Sequence, residues 1–237
     1  MRLLALSAPP PRPPTAAFER ATVTMLGATR LLRSHRSGDD LGSLAHKILS
    51  LHRVALEIRG PRPGGPAVIV ANHLGYLDPL LVRSVLPVVS IAKAELSRWP
   101  YLGRFLSGPE VIFVDRQDPH SGALALRRAS RALEAGRSVL NFPEGTTTAG
   151  DRILAFRRGI FGVARRLGVP VVPLSIELPR EVSWVGEQAF LPHYFGFAGR
   201  AETVARLHFG EAFDPDGEPD RLADRARDLI AALRGVR

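Results

Sequence analysis

Three observations predict an α/β fold: a mixed, mostly parallel sheet flanked by helices, with an N-terminal helical segment. Short apolar runs of strand length recur from residue 54 onward. Segments with helical spacing and legible ends fall between them. Strand and helix then alternate, which favours a sheet covered on both faces. A chain of 237 residues with 45% hydrophobic content can bury one core and is not a disordered sequence. There is no cysteine, so disulfides, thiolate metal sites and a cysteine nucleophile are excluded, and an intracellular chain is expected. No apolar run reaches the roughly 18 residues of a membrane-spanning helix. The start, Met1 to Ala8, is short for a signal peptide and prolines follow at once.

The elements follow in order. Pro9 to Pro14 read as an extended tail, so residues 1–21 are expected to be mobile. Residues 22–53 read as a helical unit: an apolar-basic stretch from Thr22 to Leu32, then Leu41, Leu44, Ala45, Ile48 and Leu49 at helical spacing. Two readings of that face stay open, a helix packed on the core or a basic amphipathic helix on a membrane. Residues 54–237 form the main domain. Its expected strands are Val54–Arg59, Ala67–Ala71, Val88–Ala92, Val111–Val114, Ser138–Phe142, Val169–Ile176 and a last one near Ala205–Phe213. Asp78-Pro79 and Asp118-Pro119 each pair an N-cap residue with proline at the first helical position. Gly136 and Gly168 are C-cap candidates, and a helix over Arg221–Leu233 ends the chain.

The chemistry-bearing residues fall where strands end. Asn72-His73-Leu74-Gly75-Tyr76-Leu77-Asp78 follows the run Ala67–Ala71. A carboxylate five residues from a histidine can hold one ring nitrogen and leave the other to take a proton from a hydroxyl. His73 is therefore the candidate base and Asp78 the group that orients it. Gly75 is expected to supply an unusual backbone angle. Further along come Phe113-Val114-Asp115-Arg116, Phe142-Pro143-Glu144-Gly145-Thr146 and Val169-Pro170-Val171-Val172-Pro173. A guanidinium such as that of Arg116 can clamp phosphate through two bonds. No G-x-S-x-G elbow exists, so direct transfer without a covalent enzyme intermediate is preferred.

These blocks, in this order, resemble the glycerolipid acyltransferase family, whose best known members are the lysophosphatidic acid acyltransferases. The resemblance runs from about His52 to Glu177. It implies acyl transfer from a thioester, acyl-CoA or acyl carrier protein, to the free hydroxyl of a lysolipid, with no bound cofactor and no metal. It places Arg116, Glu144, Gly145 and Thr146 at the acceptor, Lys93 at phosphate or pantetheine, and Val169 to Pro173 near the acyl donor. Glu144 would bond a glycerol hydroxyl or brace the site. The leading acceptor is 1-acylglycerol-3-phosphate. Where those enzymes usually carry arginine after Glu-Gly-Thr, this chain has Thr147. That departure resembles relatives that acylate lyso-ornithine lipid or lysophosphatidylcholine, unless Arg152, Arg157 or Arg158 compensates.

The formal charge is +9, and Lys47 and Lys93 are the only lysines. An arginine bias in coding is one reading; attraction to anionic lipid, coenzyme A or an acidic carrier is the other. Nucleic acid is not expected as a partner, with 7% aromatic residues and no recognisable RNA- or DNA-binding motif. The expected location is peripheral, on the cytoplasmic face of the cell membrane. Two other classes stay open: a metal-dependent hydrolase using His73, Asp78 and Glu144, and a non-catalytic lipid-binding module.

Overall fold

The computed structural model describes residues 14–34, 40–98, 110–115, 117–186 and 188–235. Strands β1 (Val54–Arg59), β2 (Val68–Ala71), β3 (Val88–Lys93), β4 (Val111–Val114), β5 (Ser138–Asn141), β6 (Val171–Glu177) and β7 (Thr203–Phe209) form one sheet. Their order is β1-β7-β6-β2-β5-β3-β4. Neighbours run parallel except β6 and β7, which are antiparallel. The described helices are α1 (Pro14–Ser34), α2 (Leu41–Leu51), α3 (Asp78–Arg83), α4 (Pro119–Glu134), α5 (Gly159–Leu167), α6 (Phe190–Ala198) and α7 (Pro219–Arg234).

β2 sits mid-sheet and is buried along its whole length. Its side chains alternate between two cores. Val68 and Val70 join Ala125, Ala129 and Leu133 of α4, Ile160 and Phe161 of α5, and Ala226 and Ile230 of α7. Ala67, Ile69 and Ala71 join Leu81 and Val82 of α3 and Leu49 of α2 on the other face. An apolar run without polar alternation is what a strand covered on both faces requires. Strands β2 to β6 point their carboxyl ends to one edge, where such sheets place their sites, and β1 and β7 point the other way.

Several sequence expectations change. α1 begins at Pro14, so residues 14–21 are helical rather than tail. Proline suits the first helical position, where its missing N–H has no partner to lose, and Ala16 and Ala17 follow it. Residues 1–13 lie outside the described residues. The membrane reading of α2 is overturned: Leu41, Leu44, Ala45, Ile48 and Leu49 are buried, and Leu41, Leu44 and Ile48 pack against Leu31 and Leu32 of α1 and Leu80 of α3. The last strand is Thr203–Phe209, and Phe213 makes only an isolated bridge to Val171. Helix α6 was not expected, since Phe190–Ala198 is apolar almost throughout and holds Pro192 and Gly196. Asp118 caps α4 as expected, accepting from the N–H groups of His120 and Ser121. Asp78 does not cap α3; Leu77 occupies that position without a side-chain bond. No described helix is long and apolar enough to cross a membrane.

Candidate active site

The site forms where β2 and β5 end side by side. Asn72, buried directly after β2, fastens the exit of the strand to β6. Its Nδ2 donates to the Ile176 carbonyl at 3.0 Å and its Oδ1 accepts the Ile176 N–H at 2.8 Å. The chain then turns through His73 to Leu77. Asp78, fully buried, aims its carboxylate back into this turn. Its Oδ2 accepts the N–H groups of Leu74 (2.6 Å) and Gly75 (2.9 Å) and meets His73 Nδ1 at 2.7 Å. The carboxylate is thus turned upstream, with Oδ2 taken by the loop and the ring and Oδ1 buried without a hydrogen-bond partner.

An ionised carboxylate only accepts, so Nδ1 carries the proton in the neutral ring and Nε2 presents a lone pair. The His73 side chain is 13% exposed, enough to meet a bound hydroxyl but not to wander. Its face is covered by Phe142, stacked at 4.2 Å between centroids and 18° between planes. Three backbone contacts lock the turn. Glu144 Oε1 accepts the His73 N–H at 2.8 Å, the His73 carbonyl accepts the Thr148 N–H at 2.8 Å, and the Leu74 carbonyl accepts the Trp184 N–H at 2.8 Å.

Glu144 comes from the second loop. Its other oxygen accepts the Leu154 N–H at 3.0 Å, so both oxygens serve backbone donors. Of the two roles left open for Glu144, these are bracing contacts. Burial pushes its carboxyl above the ordinary range, against the opposing pull of the two N–H bonds. Gly145 takes a left-handed φ of +73°, and a Cβ there would lie 2.8 Å from Nε of Arg157. The Arg157 guanidinium thus rests on the Gly145 α-carbon, while the Arg157 backbone N–H donates to the Pro143 carbonyl at 3.0 Å. Gly75, by contrast, does not have positive φ. Its turn packs closely, since a Cβ there would meet the Trp184 backbone nitrogen at 3.2 Å.

The remaining candidates are scattered. Thr146 is exposed beside Gly145. Lys93 ends β3, two strands from β2, and pairs with Glu95 at 2.8 Å, half exposed. Arg116 lies outside the described residues. Of the arginines that could replace the one missing at Thr147, Arg158 is engaged by Asp220 at 3.1 Å, and Arg157 is the one laid on the Glu144-Gly145 turn. Sequence reasoning missed the ring cover by Phe142. It also missed Arg234 of α7, whose guanidinium donates to the carbonyls of Ile176 and Gly150.

Such an arrangement can accept a proton from a hydroxyl and stabilise the resulting imidazolium. It is poorly built for a metal. Asp78 Oδ2 and both Glu144 oxygens are taken by N–H donors, and among the described residues no three His, Asp or Glu side chains converge as ligands.

The comparisons with known proteins identify the family. The acyltransferase family profile matches residues 53–177, just over half of the 237-residue chain. The chain belongs to this acyltransferase family. It is similar to a lyso-ornithine lipid O-acyltransferase of Brucella abortus (strain 2308), 30% identical over 78% of this chain and 82% of that protein. It is also similar to a chloroplastic 1-acyl-sn-glycerol-3-phosphate acyltransferase of Arabidopsis thaliana, 34% identical over 72% of this chain and 46% of that protein. The fold is shared with the crystal structure of a 1-acyl-sn-glycerophosphate acyltransferase, PlsC, from Thermotoga maritima. The TM-score is 0.66 at 20% identity, over 93% of this chain and 92% of that one. The chain is an O-acyltransferase of this kind.

Proposed function

We propose that the protein transfers an acyl group from a thioester, acyl-CoA or acyl carrier protein, to the free hydroxyl of a lysolipid, with His73 as base. The observation that carries this is the 2.7 Å contact between His73 Nδ1 and the buried Asp78 carboxylate. Nε2 takes the proton as the hydroxyl oxygen attacks the thioester carbonyl. Asp78 holds the ring and stabilises the imidazolium. The tetrahedral intermediate then collapses, the C–S bond breaks, and the thiolate leaves with the proton from His73.

The leading acceptor is 1-acylglycerol-3-phosphate, giving phosphatidic acid. Arg116 and Arg157 would meet its phosphate, Arg157 standing in for the arginine absent at Thr147. Lyso-ornithine lipid is the second reading, favoured by Thr147 itself and by the Brucella relative's activity. The test is the purified protein with labelled acyl-CoA and acyl carrier protein, set against a lysolipid panel. Turnover of lysophosphatidate supports the first acceptor. Turnover of lyso-ornithine lipid alone moves the acceptor and keeps the reaction. No transfer to any lysolipid from either donor rejects the reaction.

The lipid substrate implies contact with a bilayer, and α1 has the surface for it. Phe18, Val23 and Leu26 are each more than 60% exposed, and Arg30 and Arg33 continue the same exposed stripe. Phe18 stacks on Phe195 of α6 at 6.2 Å, and Leu191 of α6 is 61% exposed. Exposed apolar side chains beside basic ones suit the anionic face of a membrane, where each basic group adds about 1 kcal/mol. The reading is of a peripheral protein on the cytoplasmic face of the membrane, attached through α1.

A further inference from the structure

We propose that Arg234 is a positioning residue of the active site, tying the end of β6, where Asn72 anchors the loop of His73, to the loop of Glu144 and placing a half-buried positive charge beside them. The inference rests on His73 acting as base.

Arg234 is the last residue of α7. The antiparallel β7 returns the chain to the amino end of the sheet, so α7 runs back and finishes at the carboxyl edge, beside the site. A cation is favourable at that helix end. Two acceptors fix the guanidinium. Nη1 donates to the Ile176 carbonyl, the same oxygen that receives Asn72 Nδ2, so Arg234 and Asn72 meet on one atom directly behind His73. Nη2 donates to the Gly150 carbonyl at 2.8 Å, in the loop that runs from Glu144 to Leu154. Gly150 has φ +80°, and a Cβ there would lie 2.7 Å from Nη2, so the loop is shaped to let the guanidinium in. A planar fork that bonds one carbonyl on β6 and one in the loop after Glu144 fixes their separation, which a flexible ammonium does less well.

The charge matters as well as the bonds. The groups facing Arg234 are Glu177 at the end of β6, Glu144 from the second loop and Asp78 from α3. Burial lowers the affinity of Arg234 for its proton and these three carboxylates oppose that loss. Burial, with Asp78 nearby, raises the Glu144 carboxyl, and the N–H bonds from Leu154 and His73 oppose that rise. Glu144 must stay an acceptor for two N–H groups, so its protonation would release one of them.

Three variants test this on the full chain: Arg234→Gln, which drops the charge, Arg234→Lys, which keeps it, and His73→Ala. Each is checked for fold by circular dichroism and assayed for kcat, acceptor KM and the pH profile of kcat/KM. Arg234→Gln should lose about 10²-fold in kcat, the cost of misplacing a catalytic group by about 1 Å, with a smaller change in KM. Its acid limb should move to higher pH, because loss of the cation favours carboxyl protonation. Arg234→Lys should return the limb to its original position while recovering only part of kcat. If Arg234→Gln does not fold, Arg234→Lys alone decides: lowered kcat with an unmoved limb supports the proposal. Unchanged kcat in whichever variant folds, or loss in Arg234→Gln with an unmoved limb, overturns it. Continued turnover by His73→Ala would instead remove the base reading, whatever the Arg234 variants show.

Discussion

The loops around His73 and the helices around His52 are each built on one histidine, and they use it in opposite ways. At His73 one nitrogen is held by a carboxylate and the other is left open. At His52 both nitrogens are consumed: Nδ1 lies 2.7 Å from the Ile48 carbonyl and Nε2 lies 2.9 Å from the Tyr194 hydroxyl. The carbonyl can only accept, so Nδ1 carries the proton and Nε2 accepts from tyrosine. The ring also stacks on Phe197 at 5.0 Å, which seals it among apolar groups. A histidine with a vacant nitrogen beside a fixed carboxylate is equipped for proton transfer; one with both nitrogens bonded inside a core joins helices.

The contrast can be broken hardest at the carboxylate. Asp78→Asn keeps the shape but can fix the wrong tautomer, with a loss of about 10⁴-fold in kcat by analogy with other oriented histidines. His73→Ala should be at least as damaging while the protein stays folded. Steady-state kinetics with a labelled thioester measures both, and near-normal turnover in either would dissolve the distinction between the two histidines. Next is Arg157→Ala. Ground-state binding lost at the acceptor phosphate should raise KM for lysophosphatidate about tenfold with kcat nearly kept. An equal rise for an uncharged lysolipid would show that Arg157 only shapes the Gly145 turn.

Smaller effects belong to the helical region. Replacing Phe18 and Leu26 together with serine should reduce cosedimentation with anionic vesicles several-fold at low salt, as apolar area and basic charge act together there. Activity on detergent-dispersed substrate should remain. Unaltered sedimentation would remove α1 as the contact. The least effect is a pH dependence. Burial holds His52 below its ordinary value of 6.5, so the folded state binds fewer protons than the unfolded one. Its contribution is complete above pH 6.5 and is lost as pH falls from there through the folded value. His52→Leu should cost about 1 kcal/mol at neutral pH for the lost hydrogen bond, and should flatten the fall of Tm with acid. His193, lowered in the same direction by burial, leaves part of that slope in place.

The same division governs what could be read from residues alone. The inner strands were legible because a strand buried on both faces is written as an unbroken apolar run, and the edge strand β1 by the alternation of Val54–Arg59: β1 and β4 fall on their expected bounds, and β2, β3 and β5 within one residue of them. The pairing of His73 with Asp78 was legible because it depends on a local spacing. The covering of an apolar face was not legible. The period of Leu41, Leu44 and Ile48 tells that one side of α2 is apolar, but α1, α3 and a bilayer are equally good partners for it on paper. α6 has no polar face from which to read a period. Arg234 could not be found at all, since its role depends on where α7 ends in space and arginine is common throughout this chain.

The sheet order carries one more consequence. β1 is an edge strand, hydrogen-bonded only to β7, and half of it faces solvent with Glu57 and Arg59 outward. β2 is laddered on both sides and wholly buried. Amide protons of β1 and of the two helices before it should therefore exchange through a shallow opening, at lower free energy than those of β2 and β5. In that partly opened form β2 and β5 keep their ladders, while α2, packed on Leu80 of α3, links any loosening of the N-terminal helices to the helix that carries Asp78.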